Sequence, residues 1–102
     1  MLTTIAAEAD GAALARALVD ERLAACVNIL PAMTSVYRWK GQVEQEREQQ
    51  VIIKTTRDRL AALEARVRDL HSYELPEFLV IEAGGGAEAY LAWVSEATVA
   101  NG

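Results

Sequence analysis

Between Glu8 and Leu23 alanine and leucine dominate, with Leu14, Ala17 and Leu18 at helical spacing and Arg16, Asp20 and Arg22 among the polar positions. The spacing predicts a first helix, and Leu2 to Ile5 ahead of it leaves room for only a short strand. Cys26 to Leu30 then reads as a β-type run, broken by Pro31 and resumed from Thr34 to Lys40. Proline has no amide to give a neighbouring strand, so Pro31 predicts an edge, a bend or a bulge. Lys40-Gly41 can make a tight turn, and the chain returns to Thr55 as the second arm of a long hairpin. Because side chains alternate along a strand, Glu44, Glu46 and Glu48 share one face of that arm.

Leu60, Leu63, Val67 and Leu70 repeat at three and four residues with charged residues between them, the clearest amphipathic stripe in the chain, and Thr56 is placed to cap it. Pro76 introduces a strand over Phe78 to Ile81, Gly84-Gly85-Gly86 ends it as a turn, and a short last helix carries Tyr90, Leu91 and Val94 on one side. The predicted order is β-α-β-β-α-β-α. Two βαβ-type units with a hairpin between them predict an α+β, ferredoxin-like βαββαβ sandwich with an extra C-terminal helix, in one domain over residues 1–102. In a monomer the long hairpin would protrude with unpaired edges, which predicts closed pairing between copies as a dimer or trimer.

Composition narrows the partners. An apolar fraction of 52% with 25% charged residues suits a folded domain, and a net charge of −5 suits neither a phosphate backbone nor an anionic membrane surface. No run approaches the roughly 18 apolar residues of a membrane span, and Met1 to Thr4 lacks the basic start of a signal peptide. A cytoplasmic protein is expected. One cysteine and one histidine cannot close a structural zinc site, so a metal would need carboxylates, water or another subunit.

Few residues carry candidate chemistry. His71 ends the apolar stripe with Tyr73, Glu74 and Glu77 close behind, as either a helix-terminal cap or a metal or proton-transfer group. Cys26, between Ala25 and Val27, is a buried structural thiol, or else a soft metal ligand or a redox thiol. Lys54 at a strand end can hold an anion or snorkel to water. Tyr37 and Trp39 share one face of the hairpin and Arg38 points to the other; the aromatic pair suits an interface anchor better than a ligand-stacking platform. The three glutamates read as a solvated face rather than a hard-cation site. The glycine run has no phosphate-loop spacing, and Cys26 with His71 is the only conventional nucleophile pair.

Five blocks, in order, resemble one family. Leu23-Ala24-Ala25-Cys26-Val27-Asn28, Tyr37-Arg38-Trp39-Lys40-Gly41, Ile53-Lys54-Thr55-Thr56, His71-Ser72-Tyr73-Glu74-Leu75-Pro76-Glu77 and Tyr90-Leu91-Ala92-Trp93 are similar to the CutA divalent-cation tolerance proteins. The resemblance implies a homotrimer built like the PII signalling proteins and a role in tolerance to copper and other divalent metals. It associates metal binding with a cysteine ending the first strand and two adjacent histidines ahead of the Tyr-x-x-Pro-Glu block. Here Leu70 stands in place of the first histidine, Ser72 in place of the usual proline, and no cysteine lies between Met1 and Ala9. His71 with Cys26 or a carboxylate is the remaining donor set, and Cys26 matches the family's cysteine in its block.

The expectation is therefore a non-enzymatic, copper-binding trimer whose intersubunit clefts lie near His71, Tyr73, Glu77, Lys54 and Trp39. A signalling module holding a small anion or metabolite between Lys54 and Arg38, stacked on Tyr37 or Trp39, is the alternative, and a purely structural trimer is the third reading.

Overall fold

The computed structural model describes residues 1–100. Along the chain run β1 (Leu2–Ala6), α1 (Gly11–Asp20), β2 (Cys26–Ile29), β3 (Met33–Trp39), β4 (Gln42–Lys54), a 3-10 turn (Arg57–Arg59), α2 (Leu60–Leu70) and α3 (Glu88–Ala97). β4 is the spine. β1 lies antiparallel along one edge, from Leu2 opposite Ile52 to Ala6 opposite Glu48. The other edge is shared, with β2 pairing Cys26 to Lys54 through Ile29 to Val51, and β3 pairing Met33 to Glu48 through Trp39 to Gln42. β2 and β3 are thus one long strand interrupted around Pro31, where the missing amide predicted a break. Lys40 and Gly41 both take positive φ, 50° and 79°, the two-residue turn whose twist matches the strands it joins.

The predicted last strand forms only in part. Leu2 and Leu79 exchange both backbone hydrogen bonds, at 2.8 and 3.0 Å, as a single antiparallel bridge. That bridge lies beside β1, so the order is the ferredoxin-like one, with the edge position held by one residue rather than four. Pro76 lacks a donor, and β1 begins at Leu2, so little ladder is available to Val80 and Ile81.

Helix one is shorter than its composition predicts, because both ends are set by caps. The Asp10 carboxylate accepts from the Ala13 amide at 3.0 Å, and at the other end Arg22 turns to φ 60° so that Leu23 and Ala24 both donate to the Leu18 carbonyl. Gly11 allows this helix to sit close to the sheet, since a Cβ there would lie 3.1 Å from Ile29 Cγ2 and 3.2 Å from Ile5 Cδ1. Thr56 precedes the 3-10 turn in an extended conformation but caps nothing; its hydroxyl lies 3.3 Å from that of Thr98.

Helices α1 and α2 cover the same sheet face. Leu18 from α1 and Leu63 and Val67 from α2 meet Ile5, Val51 and Ile53 in one buried cluster. Each fully buried leucine contributes on the order of 1.5–3 kcal/mol of apolar transfer. The alternate residues of β4, Glu48, Gln50, Ile52 and Lys54, face the other way.

Candidate ligand cleft

The face without helices is where polar and aromatic groups gather. Residues paired across an antiparallel ladder share a face, so Thr4, Met33, Ser35, Tyr37 and Trp39 lie on the same side as Glu48 and Gln50. The segment that follows α2 folds over this face at residues 72–77 and, with the hairpin arm, encloses an open cleft of ≈ 850 Å³.

A set of hydrogen bonds ties that covering segment to the sheet and to the end of α2. Tyr73 donates its hydroxyl to Glu48 Oε2 at 2.8 Å. Gln50 Nε2 donates to the Thr3 carbonyl at 2.7 Å and to Glu77 Oε2 at 3.2 Å. His71, the C-cap of α2, accepts the Tyr73 amide at Nδ1, 3.1 Å away, so the proton of the neutral ring sits on Nε2 and is donated to the Thr4 carbonyl at 2.5 Å. The imidazole packs against Tyr73 with ring centres 4.6 Å apart. Both ring nitrogens are therefore engaged, and a metal at either one would displace a hydrogen bond.

Glu48 is the unusual group. It is 7% exposed, takes its hydrogen bond from Tyr73, and takes part in no ion pair among the described residues. Its charge is felt nearby. Burial, followed by the hydrogen bond and charge of Glu48, holds the Tyr73 phenol well above its ordinary range. Tyr37 is raised in the same direction by lost solvent and by the charges of Glu46, Glu48 and Glu44.

The residues singled out from sequence divide in two. Trp39, Tyr37, Tyr73 and Glu77 line the cleft. His71 lies beneath its covering segment and borders a separate small cavity of ≈ 180 Å³ with Ile5 and Leu14. Arg38 points away from the cleft and bonds the Gly41 carbonyl at 3.4 Å. Lys54 lies at the far end of β4, its ammonium 5.9 Å from the Tyr90 ring centre.

Cys26 is half-buried opposite Lys54 on β2, with its thiol 3.8 Å from Asn28 Oδ1. β1 and β2 flank β4 on opposite edges, and the Thr4 and Cys26 registers are separated by roughly 13 Å along it at about 3.3 Å per residue. Cys26 and His71 are not brought together within one chain. No group of three His, Cys, Asp or Glu residues able to hold a metal occurs among the described residues.

Sequence reasoning missed Glu48 as a buried group, along with Thr4, Met33, Ser35 and Gln50. The available signal was strand parity, since each falls on the face already marked by Tyr37 and Trp39.

The profile of the CutA1 divalent ion tolerance proteins matches residues 1–97. A divalent-cation tolerance protein CutA from Thermus thermophilus is 43% identical over 98 residues, covering 96% of this chain and 95% of its own. Among solved structures, a divalent cation tolerance protein from the same organism superposes with a TM-score of 0.92 at 43% identity, covering 96% and 95% of the two chains. A PII-like protein CutA from Nostoc sp. PCC 7120, in apo form, gives 0.89 at 37% identity over 98% and 96%. The chain spans 48% of the length of its human and mouse relatives.

Proposed function

Because the chain belongs to the CutA1 divalent ion tolerance family, we propose that it works as a homotrimer in the response to divalent metal ions, copper foremost, without catalysing a reaction. The observation that carries the assembly is an unfinished sheet edge. Leu79, Val80 and Ile81 are 53–64% exposed beside β1, with one bridge where a full strand would pair. A row of apolar residues with free backbone groups is stabilised by a neighbouring strand, and closed pairing among copies supplies one without leaving an edge.

The donors of a single chain do not fit a tight metal site. His71 is spent on Thr4 and Tyr73, and Cys26 lies across the sheet. Copper binding in this reading therefore takes ligands from more than one copy, with His71 released from one of its bonds, and Cu(II) favoured among divalent first-row ions by the Irving–Williams order. A cytoplasmic setting belongs to the same reading, supported by the lone thiol.

Sedimentation equilibrium of chelator-treated protein should give the mass of three 11.1 kDa chains. Copper calorimetry on the same sample should show micromolar binding that weakens in His71→Ala and Cys26→Ser. A monomer, or copper binding unaltered by both substitutions, would overturn the reading.

The cleft favours a second reading, a PII-like module that signals by taking a small ligand. Its support is the cleft itself, together with the Nostoc likeness. The anion version of that reading draws no support from geometry, because Lys54 and Arg38 both lie outside the cleft.

A further inference from the structure

We propose that His71 is a positioning residue, the latch that ties the covering segment 72–77 to the outer edge of β1, and that a metal ion taking its ring has to open that latch. The metal half rests on the copper reading above; the latch itself does not.

Alternation along β1 sets the anchor point. Met1 and Ala7 bond to β4, at Ile53 and Arg47, whereas Leu2 turns its amide and carbonyl the other way, to Leu79. By the same alternation the Thr4 carbonyl points to the outer edge, two residues beyond that single bridge. Its partner is a side chain, the Nε2 proton of His71, at 2.5 Å. An edge carbonyl that a longer last strand would bond is thus satisfied by an imidazole.

The other ring nitrogen fixes where the chain goes next. α2 ends at His71, whose own amide still bonds the Val67 carbonyl at 2.9 Å while its backbone turns extended, with φ −88° and ψ 141°. Nδ1 then accepts the Tyr73 amide at 3.1 Å, and the two rings pack with centres 4.6 Å apart. From there Tyr73 reaches Glu48, and Glu77 reaches Gln50. One imidazole thereby sets the first turn of the segment, and all of these bonds are made within one chain.

The surroundings of the ring suit this use better than a ligand role. Ile5, Leu14 and Leu70 line the small cavity beside it, and Asp10, the one carboxylate in that lining among the described residues, already accepts the Ala13 amide. A metal needs a lone pair, and the one on the neutral ring is that of Nδ1, given to Tyr73. Coordination there breaks the latch while the Nε2 proton stays on Thr4, the kind of second bond that orients a metal-bound imidazole. The coupling is reciprocal, so that metal loosens the segment and a loosened segment favours metal.

Hydrogen exchange resolved to single amides, on chelator-treated protein of wild-type mass, reads the latch without metal. His71→Ala should speed exchange of the Tyr73 amide about tenfold or more and leave the Ile53 amide, bonded to Met1 in the core, unchanged. His71→Asn should keep most of the protection, because an asparagine oxygen accepts the amide two residues on as Nδ1 does here. Should the alanine variant lose the wild-type mass, His71→Gln takes its place, with a donor for Thr4 and no acceptor at Nδ1. With Cu(II) added, and stripped by chelator at the quench, wild-type residues 72–77 should exchange faster. Tyr73→Phe, which removes the bond to Glu48, should bind copper several-fold more tightly. A Tyr73 amide indifferent to His71→Ala, or exposed by asparagine as much as by alanine, overturns the latch. Copper that slows exchange over 72–77, or that binds Tyr73→Phe more weakly, overturns the competition. Absence of copper binding from wild type and Tyr73→Phe alike removes the copper reading and the metal half with it, while the metal-free exchange still decides the latch.

Discussion

Tyr73→Phe deletes one oxygen and tests the central contact of the cleft. The hydroxyl donates to Glu48 Oε2 at 2.8 Å, and Glu48 is 7% exposed with no other side-chain donor among the described residues. A hydrogen bond to a charged group contributes roughly 1.5–3 kcal/mol, and an abandoned buried acceptor costs at least as much as the bond was worth. A loss of about 2 kcal/mol at neutral pH is expected. For a domain of this size that is a drop of about 8–16 °C in melting temperature, compared at equal protomer concentration. The pH dependence gives a second readout with a fixed sign. Below about 10, the ordinary phenol value, Tyr73 is protonated both folded and unfolded, and its contribution is complete. Above it the unfolded chain releases the proton while the folded chain, whose phenol is raised, retains it. Stability therefore declines as the pH climbs from about 10 toward the folded value, and the phenylalanine variant has no phenolic proton to contribute to that decline. Urea unfolding of both proteins at pH 7 and across the alkaline range measures the two effects. A Tyr73→Phe protein within about 0.5 kcal/mol of wild type at pH 7, with the same alkaline slope, would refute the account of Glu48 as a dependent buried charge.

Two further outcomes follow from single features. Thr3 is fully buried and its hydroxyl has no hydrogen-bond partner among the described residues, so Thr3→Val, nearly the same shape without the oxygen, should raise stability by about 1 kcal/mol in urea unfolding; a loss would show that the hydroxyl has a partner. Joining Ser35 to Glu46 through a short turn removes the exposed Val36 and Val43 with the end of the hairpin, and sedimentation should then report a folded monomer. A trimer that survives this deletion would place the assembly contacts elsewhere.

The fold was largely legible because its signals are local. Leu60, Leu63, Val67 and Leu70 spell out α2, Lys40-Gly41 has the turn that its position demands, and Pro31 divides β2 from β3. The strand at Phe78 to Ile81 was over-read, since apolar β-type residues specify a strand only where a neighbour offers a ladder, and within one chain Leu2 alone does so. The cleft was half legible. Trp39, Tyr37, Tyr73 and Glu77 declare themselves by type, and their convergence follows from the loop folding back over the sheet. Glu48 did not, because a run of alternating glutamates reads as a solvated face until the covering segment is known to reach its last member. Lys54 and Arg38 carry the right charge for an anion, but strand distance and parity place them elsewhere.

Core and cleft are linked through one strand. Val51 and Ile53 point to the helices and are buried to within 1%, while Glu48 and Gln50 point to the cleft. A slip of one residue in β4 would exchange the two faces, sending Val51 and Ile53 into the cleft and leaving Gln50 against Leu18 and Leu63. At roughly 1.5–3 kcal/mol for each large apolar side chain exposed, and more for a buried amide without partners, that register is inaccessible to the folded chain. The hydrophobic residues of one face thereby hold the acids and rings of the other in place. Changes to Glu48 or Gln50 can thus retune the cleft while Val51 and Ile53 keep the strand in register, whereas a change of strand length on either side of Pro31 disturbs both at once.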